Sequence, residues 1–213
     1  MLNLTQFITY FLTTGFIFTI SVIPTLFWLL FSGPNFFDII ALGLMFPSLA
    51  AMVSCSVKYK ESEEKMKFQI VKHFLEGYKK NFKDTIKYCF IYAGILFVVF
   101  LGFTNIEEMS IFMMVAFGLL TTLSTLIVTY MMLVATKFQF NLKGLFKIGI
   151  YCILMNFKIT AKIFLVYVAL FFLYPWVGVF PMLLFVSPVT YLIIHFVGPV
   201  FEEVYELFVE KPE

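Results

Sequence analysis

Long apolar runs separated by short polar connections organise the chain, at residues 4–31, 36–57, 85–103, 109–135, 159–174 and 177–200. Each is on the scale of the ~20 residues a helix needs to cross a bilayer. None shows the strict alternation of a barrel strand, so the pattern predicts membrane helices and excludes an outer-membrane barrel. Two polar intervals carry a shorter helical period. In the first, Met66, Ile70, Val71, Phe74, Leu75, Tyr78 and Phe82 recur at three- and four-residue steps, with Glu63, Lys67, Lys72, Glu76 and Lys79 on other faces. In the second, Leu142, Leu145, Phe146, Gly149, Ile150, Ile153 and Leu154 form the stripe, and Asn141 is placed to cap it. The expected fold is therefore all-α: a single polytopic membrane helix bundle over 1–213, with six spans and two amphipathic cytoplasmic helices lying on the membrane or under a partner.

Composition sharpens this. Of 213 residues, 62% are hydrophobic and only 13% charged. A soluble core of this length could not hide so much apolar surface. Pro175 and Pro181 flank a Trp176-Val177-Gly178 bend, so the last two runs could also be one kinked helix, giving five spans. Charge favours six. All 15 basic residues are lysines, nine from Lys58 to Lys87, five from Lys137 to Lys162 and one at Lys211, whereas the other connections carry Asp38, Glu107 and Glu108. The positive-inside rule puts both lysine intervals in the cytoplasm, and with six spans both termini follow. The first run is too long for a cleavable signal and is expected to remain as an anchor.

One polar phrase occurs twice. "NFKDTIK" at 81–87 and "NFKITAK" at 156–162 align at an offset of 75 residues (81 to 156), sharing Asn81/Asn156, Phe82/Phe157, Lys83/Lys158, Thr85/Thr160 and Lys87/Lys162, then Tyr92/Tyr167 and Phe97/Phe172. Each copy follows a span and a lysine-bearing segment and feeds a new outward span. Duplicated helix-loop-helix units at 44–101 and 119–176 would explain the match, with convergence on ordinary inward loops as the alternative. Lys83 and Lys87, like Lys158 and Lys162, share a helix face at the membrane entry. Anionic lipid at that depth attracts each lysine by about 1 kcal/mol. The candidates for lipid or partner contact are Lys79, Lys80, Asn81, Phe82, Lys83, Lys87, Asn156, Phe157, Lys158 and Lys162.

Little in the chain suggests catalysis. There is no H-E-x-x-H, G-x-S-x-G or phosphate-loop motif, and the spans lack the buried carboxylates of ion-coupled transporters. Cys55, Cys89 and Cys152 show no metal spacing and read as small core residues. His195 stands near the cytoplasmic end of the last run, with Glu202 and Glu203 as its nearest acidic partners in sequence, and a structural role is favoured over a proton relay. No enzyme, cofactor, metal or nucleic-acid partner is expected.

The stretch "FPSLAAMVSCSVKYKE" at 46–61, with "FLEGYKKNFKDTIKY" beyond it, resembles the YesL-like family of bacterial membrane proteins, mainly over 44–101. The resemblance singles out Pro47, Ser48, Ala51 and Phe74 with Asn81, Phe82 and Lys83, although this chain uses only lysine where the family often mixes in arginine. It implies a multi-pass protein of the bacterial cytoplasmic membrane. Its role would be that of a non-catalytic accessory subunit of a carbohydrate ABC importer, touching the permease and the ATPase and concerned with carbohydrate only indirectly. Two other readings are a substrate-capturing subunit resembling those of energy-coupling-factor importers, and a membrane scaffold or lipid sensor.

Overall fold

The structure is a computed structural model that describes residues 4–31, 37–62, 69–104 and 110–209. Among them are seven helices and no strand: α1 (Leu4–Phe31), α2 (Phe37–Glu61), α3 (Ile70–Thr104), α4 (Ile111–Lys137), α5 (Leu142–Met155), α6 (Phe157–Val177) and α7 (Val179–Phe208). Four stretches are long and apolar enough to cross a bilayer, Leu4–Trp28, Ile111–Lys137, Phe157–Val177 and Leu183–Phe208. The expected all-helical membrane fold is present. Met66, Glu63 and Lys67 of the first amphipathic pattern, and Glu107, Glu108 and Lys211, lie outside the described residues.

Antiparallel hairpins build the bundle. Tyr10 of α1 bonds to Ser56 near the end of α2, and Lys58 of α2 reaches Glu76 near the start of α3. Tyr92 of α3 then meets Thr125 of α4. The bend at Gly178 separates two helices, and its φ of +79° is a conformation that glycine alone adopts without strain. The chain folds back there, because the Lys162 ammonium of α6 sits 5.3 Å from the Phe196 ring of α7. Tyr191 of α7 packs on Phe7 and Phe11 of α1, and Lys60 of α2 donates to the Ile194 carbonyl. The start of α1 and the end of α7 thus share the lysine-bearing end of the bundle.

The first amphipathic segment differs from expectation. It is not a separate surface helix but the first half of α3, continuous with the following apolar run. Its buried face is Phe74, Gly77, Asn81 and Thr85, whereas Val71 and Leu75 of the predicted stripe stay 54% and 59% exposed. Gly77 explains the choice of face. A Cβ there would lie 3.1 Å from Ser54 Cβ and 3.3 Å from the Ala51 carbonyl, so the missing side chain lets α3 approach the α2 backbone. The second segment does form its own helix, α5, and Asn141 accepts from the Gly144 N–H at 2.7 Å as its N-cap. Gly149 brings α5 close to α4 in the same manner, 3.2 Å from the Ile127 carbonyl.

Two apolar clusters fill the interior. One joins α2, α3, α4, α5, α6 and α7 around Tyr130, Leu133, Ile148 and Val197, and the other joins α1, α2, α3 and α7 around Tyr10, Met52, Phe74 and Tyr59. The Tyr10 and Tyr59 rings stack at 3.8 Å with only 6° between their planes. Toward the opposite end α4 is exposed at Ile111, Phe112, Met113 and Val115, and α6 at Phe171, Phe172 and Trp176. These are the surfaces expected to meet lipid tails.

Candidate functional site

The helix ends at the lysine-bearing end enclose a groove of about 370 Å³, walled by Ser54, Val57, Lys58, Glu61, Glu76, Gly77, Lys80, Thr136 and Lys137. Local chemistry favours this gathering. Lys58 and Lys137 sit in the last turns of α2 and α4, where cations complement the partial negative charge of a helix C-terminus. Lys137 pairs with Glu61 at 3.1 Å and lies 5.2 Å from the Phe201 ring, tying α4 to α2 and α7. Lys58 pairs with Glu76 at 3.1 Å, and His73 Nδ1 stands 3.4 Å from the same carboxylate. The Lys58 ammonium holds the Glu76 carboxyl below the usual carboxylate range, with His73 adding to the effect. Lys80 adds a third cation to the wall.

A second polar cluster joins α5, α6 and α7. The Tyr151 hydroxyl donates to one Glu203 oxygen at 2.6 Å and the Asn156 amide donates to the other at 2.8 Å. The Glu203 carboxylate pushes the Tyr151 hydroxyl up to about 12, because losing the proton would set two anions side by side. Burial, with Glu203 nearby, pushes the Cys152 thiol up to about 12, so it is no nucleophile at neutral pH. This cluster was missed from sequence. Sequence offers Glu202 and Glu203 as the acidic residues nearest His195, but His195 is exposed beside the Phe196 ring, and Glu203 goes to Tyr151 and Asn156.

The two copies of the repeated phrase therefore occupy unlike places. Asn81 is buried in mid-helix and donates to the Gly77 carbonyl at 2.9 Å, whereas Asn156 stands at the junction between α5 and α6. Lys79, Lys80, Lys83 and Lys87 are exposed, with Lys87 on Asp84 at 3.2 Å, and Phe82 is half-buried against Tyr78. Phe157, Lys158 and Lys162 are exposed at the start of α6. Pro47, Ser48, Ala51 and Phe74 are all buried, and Ala51 and Phe74 share one cluster where α2 meets α3. The positions that carried the family resemblance thus belong mainly to a helix seam.

Hydroxyls line the bundle interior along α4. Tyr92 meets Thr125 and Tyr167 meets Thr129, both at 2.7 Å and one helical turn apart, while Tyr130 meets Thr160 at 2.9 Å. Beside Thr129 a cavity of about 220 Å³ lies between α2, α4, α6 and α7. Among the described residues no three His, Cys, Asp or Glu side chains converge in a way that could hold a metal ion.

No curated protein and no solved structure matches the chain. Residues 21–103, from within α1 to near the end of α3, match the family described as "Protein of unknown function, DUF624", and the seam between α2 and α3 with its Gly77 contact lies inside the matched stretch, as do the α2 and α3 sides of the lysine groove.

Proposed function

We propose that the chain crosses a bacterial cytoplasmic membrane six times, on α1, α2, the second half of α3, α4, α6 and α7, with both ends inside. It acts there as a non-catalytic accessory subunit of a carbohydrate ABC importer. Its spans lie against the permease, and its lysine-bearing end faces the cytoplasm within reach of the ATPase. The observation that carries this reading is the groove in which α2, α3 and α4 present Lys58, Lys80 and Lys137 beside Glu61 and Glu76. Interleaved charges of both signs orient a protein partner more strictly than a lipid surface, which asks only for cations. The resemblance to YesL-like proteins over 44–101 supports the importer as that partner, and the lysine distribution supports the orientation.

Lysine cross-linking in native membranes followed by mass spectrometry tests the proposal. Links from Lys80, Lys83 or Lys158 to a permease or ATPase subunit are the expected result. Self-links alone, in membranes where the importer is detected, would overturn it.

A further inference from the structure

The cavity of about 220 Å³ is larger than the ~150 Å³ engineered apolar cavity that takes up benzene. Its shape follows from α6. That helix buries only Thr160 and Ile163, both near its start, and farther along, at Tyr167 and Leu170, the space between it and α2, α4 and α7 is left unfilled. Val53 and Val189 supply apolar wall, and Thr129, Tyr167 and Thr190 supply hydroxyls.

Proton accounting at those hydroxyls sets the chemistry. The Thr129 hydroxyl donates to the Thr125 carbonyl at 2.7 Å, so its 2.7 Å contact with Tyr167 is a hydrogen bond only if Tyr167 donates. The Thr190 hydroxyl donates to the Val186 carbonyl at 2.7 Å, with the Met52 sulfur 3.4 Å away. Each of the three protons is committed, and what the wall has left to offer is lone pairs on oxygen. A carboxylate, phosphate or carbonyl would meet acceptors without donors and be rejected, since an unsatisfied polar group in such a place is costly. A hydroxyl would find an acceptor.

We propose that this cavity binds a neutral apolar alcohol taken from the bilayer, its hydrocarbon body against Val53, Leu170 and Val189 and its O–H donating to Tyr167 or Thr190. The site goes beyond the accessory role and stands or falls separately from it. The test uses the full chain in nanodiscs of phosphatidylcholine and phosphatidylglycerol. Three photoreactive diazirine probes are compared: a medium-chain primary alcohol, its methyl ether, and a phospholipid with the diazirine on an acyl chain. The alcohol should label peptides carrying Leu170 or Val189 about threefold or more above the ether, the factor expected of one hydrogen bond. Tyr167→Phe with Thr129→Val and Thr190→Val, which removes all three wall hydroxyls and nearly keeps side-chain volume, should erase that preference and leave ether labelling unchanged. Equal labelling by alcohol and ether in the unmodified chain would overturn the proposal. So would phospholipid labelling of the same peptides as strong as the alcohol's, which would make the cavity a slot for lipid tails.

Discussion

A seven-residue phrase repeated with five residues in common is read two ways in one molecule. At 81–87 it lies within an unbroken helix of 35 residues, and at 156–162 it begins a new helix after a one-residue break. Asparagine tolerates both outcomes because its amide can satisfy the backbone in mid-helix or stand at a helix end. What differs is the neighbour. Asn81 has Gly77 four residues back, which draws α3 onto α2, and it turns its amide to the Gly77 carbonyl. Asn156 has Cys152 at that place and Glu203 of α7 within 2.8 Å. The tyrosines diverge as well, since Tyr167 of α6 bonds Thr129 of α4, whereas Tyr92 of α3 bonds Thr125 one turn earlier on α4. A local sequence sets the options, and a distant carboxylate selects between them.

The contrast can be broken most severely at Gly77. Gly77→Leu forces a side chain against Ser54 and the Ala51 backbone, and should cost ~3 kcal/mol, as overpacking of a tight contact does. Chemical denaturation in detergent would measure it, and a loss below 1 kcal/mol would show that α2 and α3 can separate without penalty. Glu203→Ala acts on the other copy alone. It strips Tyr151 and Asn156 of their shared acceptor and should cost ~2 kcal/mol, the range for hydrogen bonds to a charged group. Hydrogen exchange should then speed up over 142–160 and stay unchanged over 70–90.

Smaller effects sharpen the comparison. Because the Tyr151 hydroxyl is raised above its ordinary value of 10, its contribution is full below pH 10 and declines as the pH rises toward about 12. Ultraviolet titration should show a late tyrosinate component that Glu203→Gln moves back toward 10. Asn81→Ala should change stability by less than ~1 kcal/mol, since the gain in helix propensity offsets a local bond made within the same helix. Least of all, Lys87→Ala should fall within ~0.5 kcal/mol, because its pair with Asp84 is exposed.

Much of the fold was legible. Apolar runs located the long helices, Asn141 announced the start of α5, and Gly178 marked the turn between α6 and α7. The continuity of α3 was not legible, because the amphipathic period of residues 70–82 is compatible with a surface helix until Gly77 is seen against Ser54. Nor was the groove, whose Lys58, Lys80 and Lys137 come from three helices and are joined only by packing. The role of Glu203 was not legible for a related reason: its partners are about fifty residues away along the chain, while sequence offers only its nearness to His195.

By itself the sequence determined that this is a helical membrane protein with its lysines confined to a few intervals, since backbone satisfaction in lipid and the charge of helix-flanking segments depend only on local composition. Tertiary structure alone decided which copy of the phrase continues a helix and which starts one, which carboxylate ties the end of α7 to α5 and α6, and where a cavity remains. Those outcomes depend on close approaches of small residues and on polar groups meeting across helices, and such distances are set only once every helix has found its neighbours.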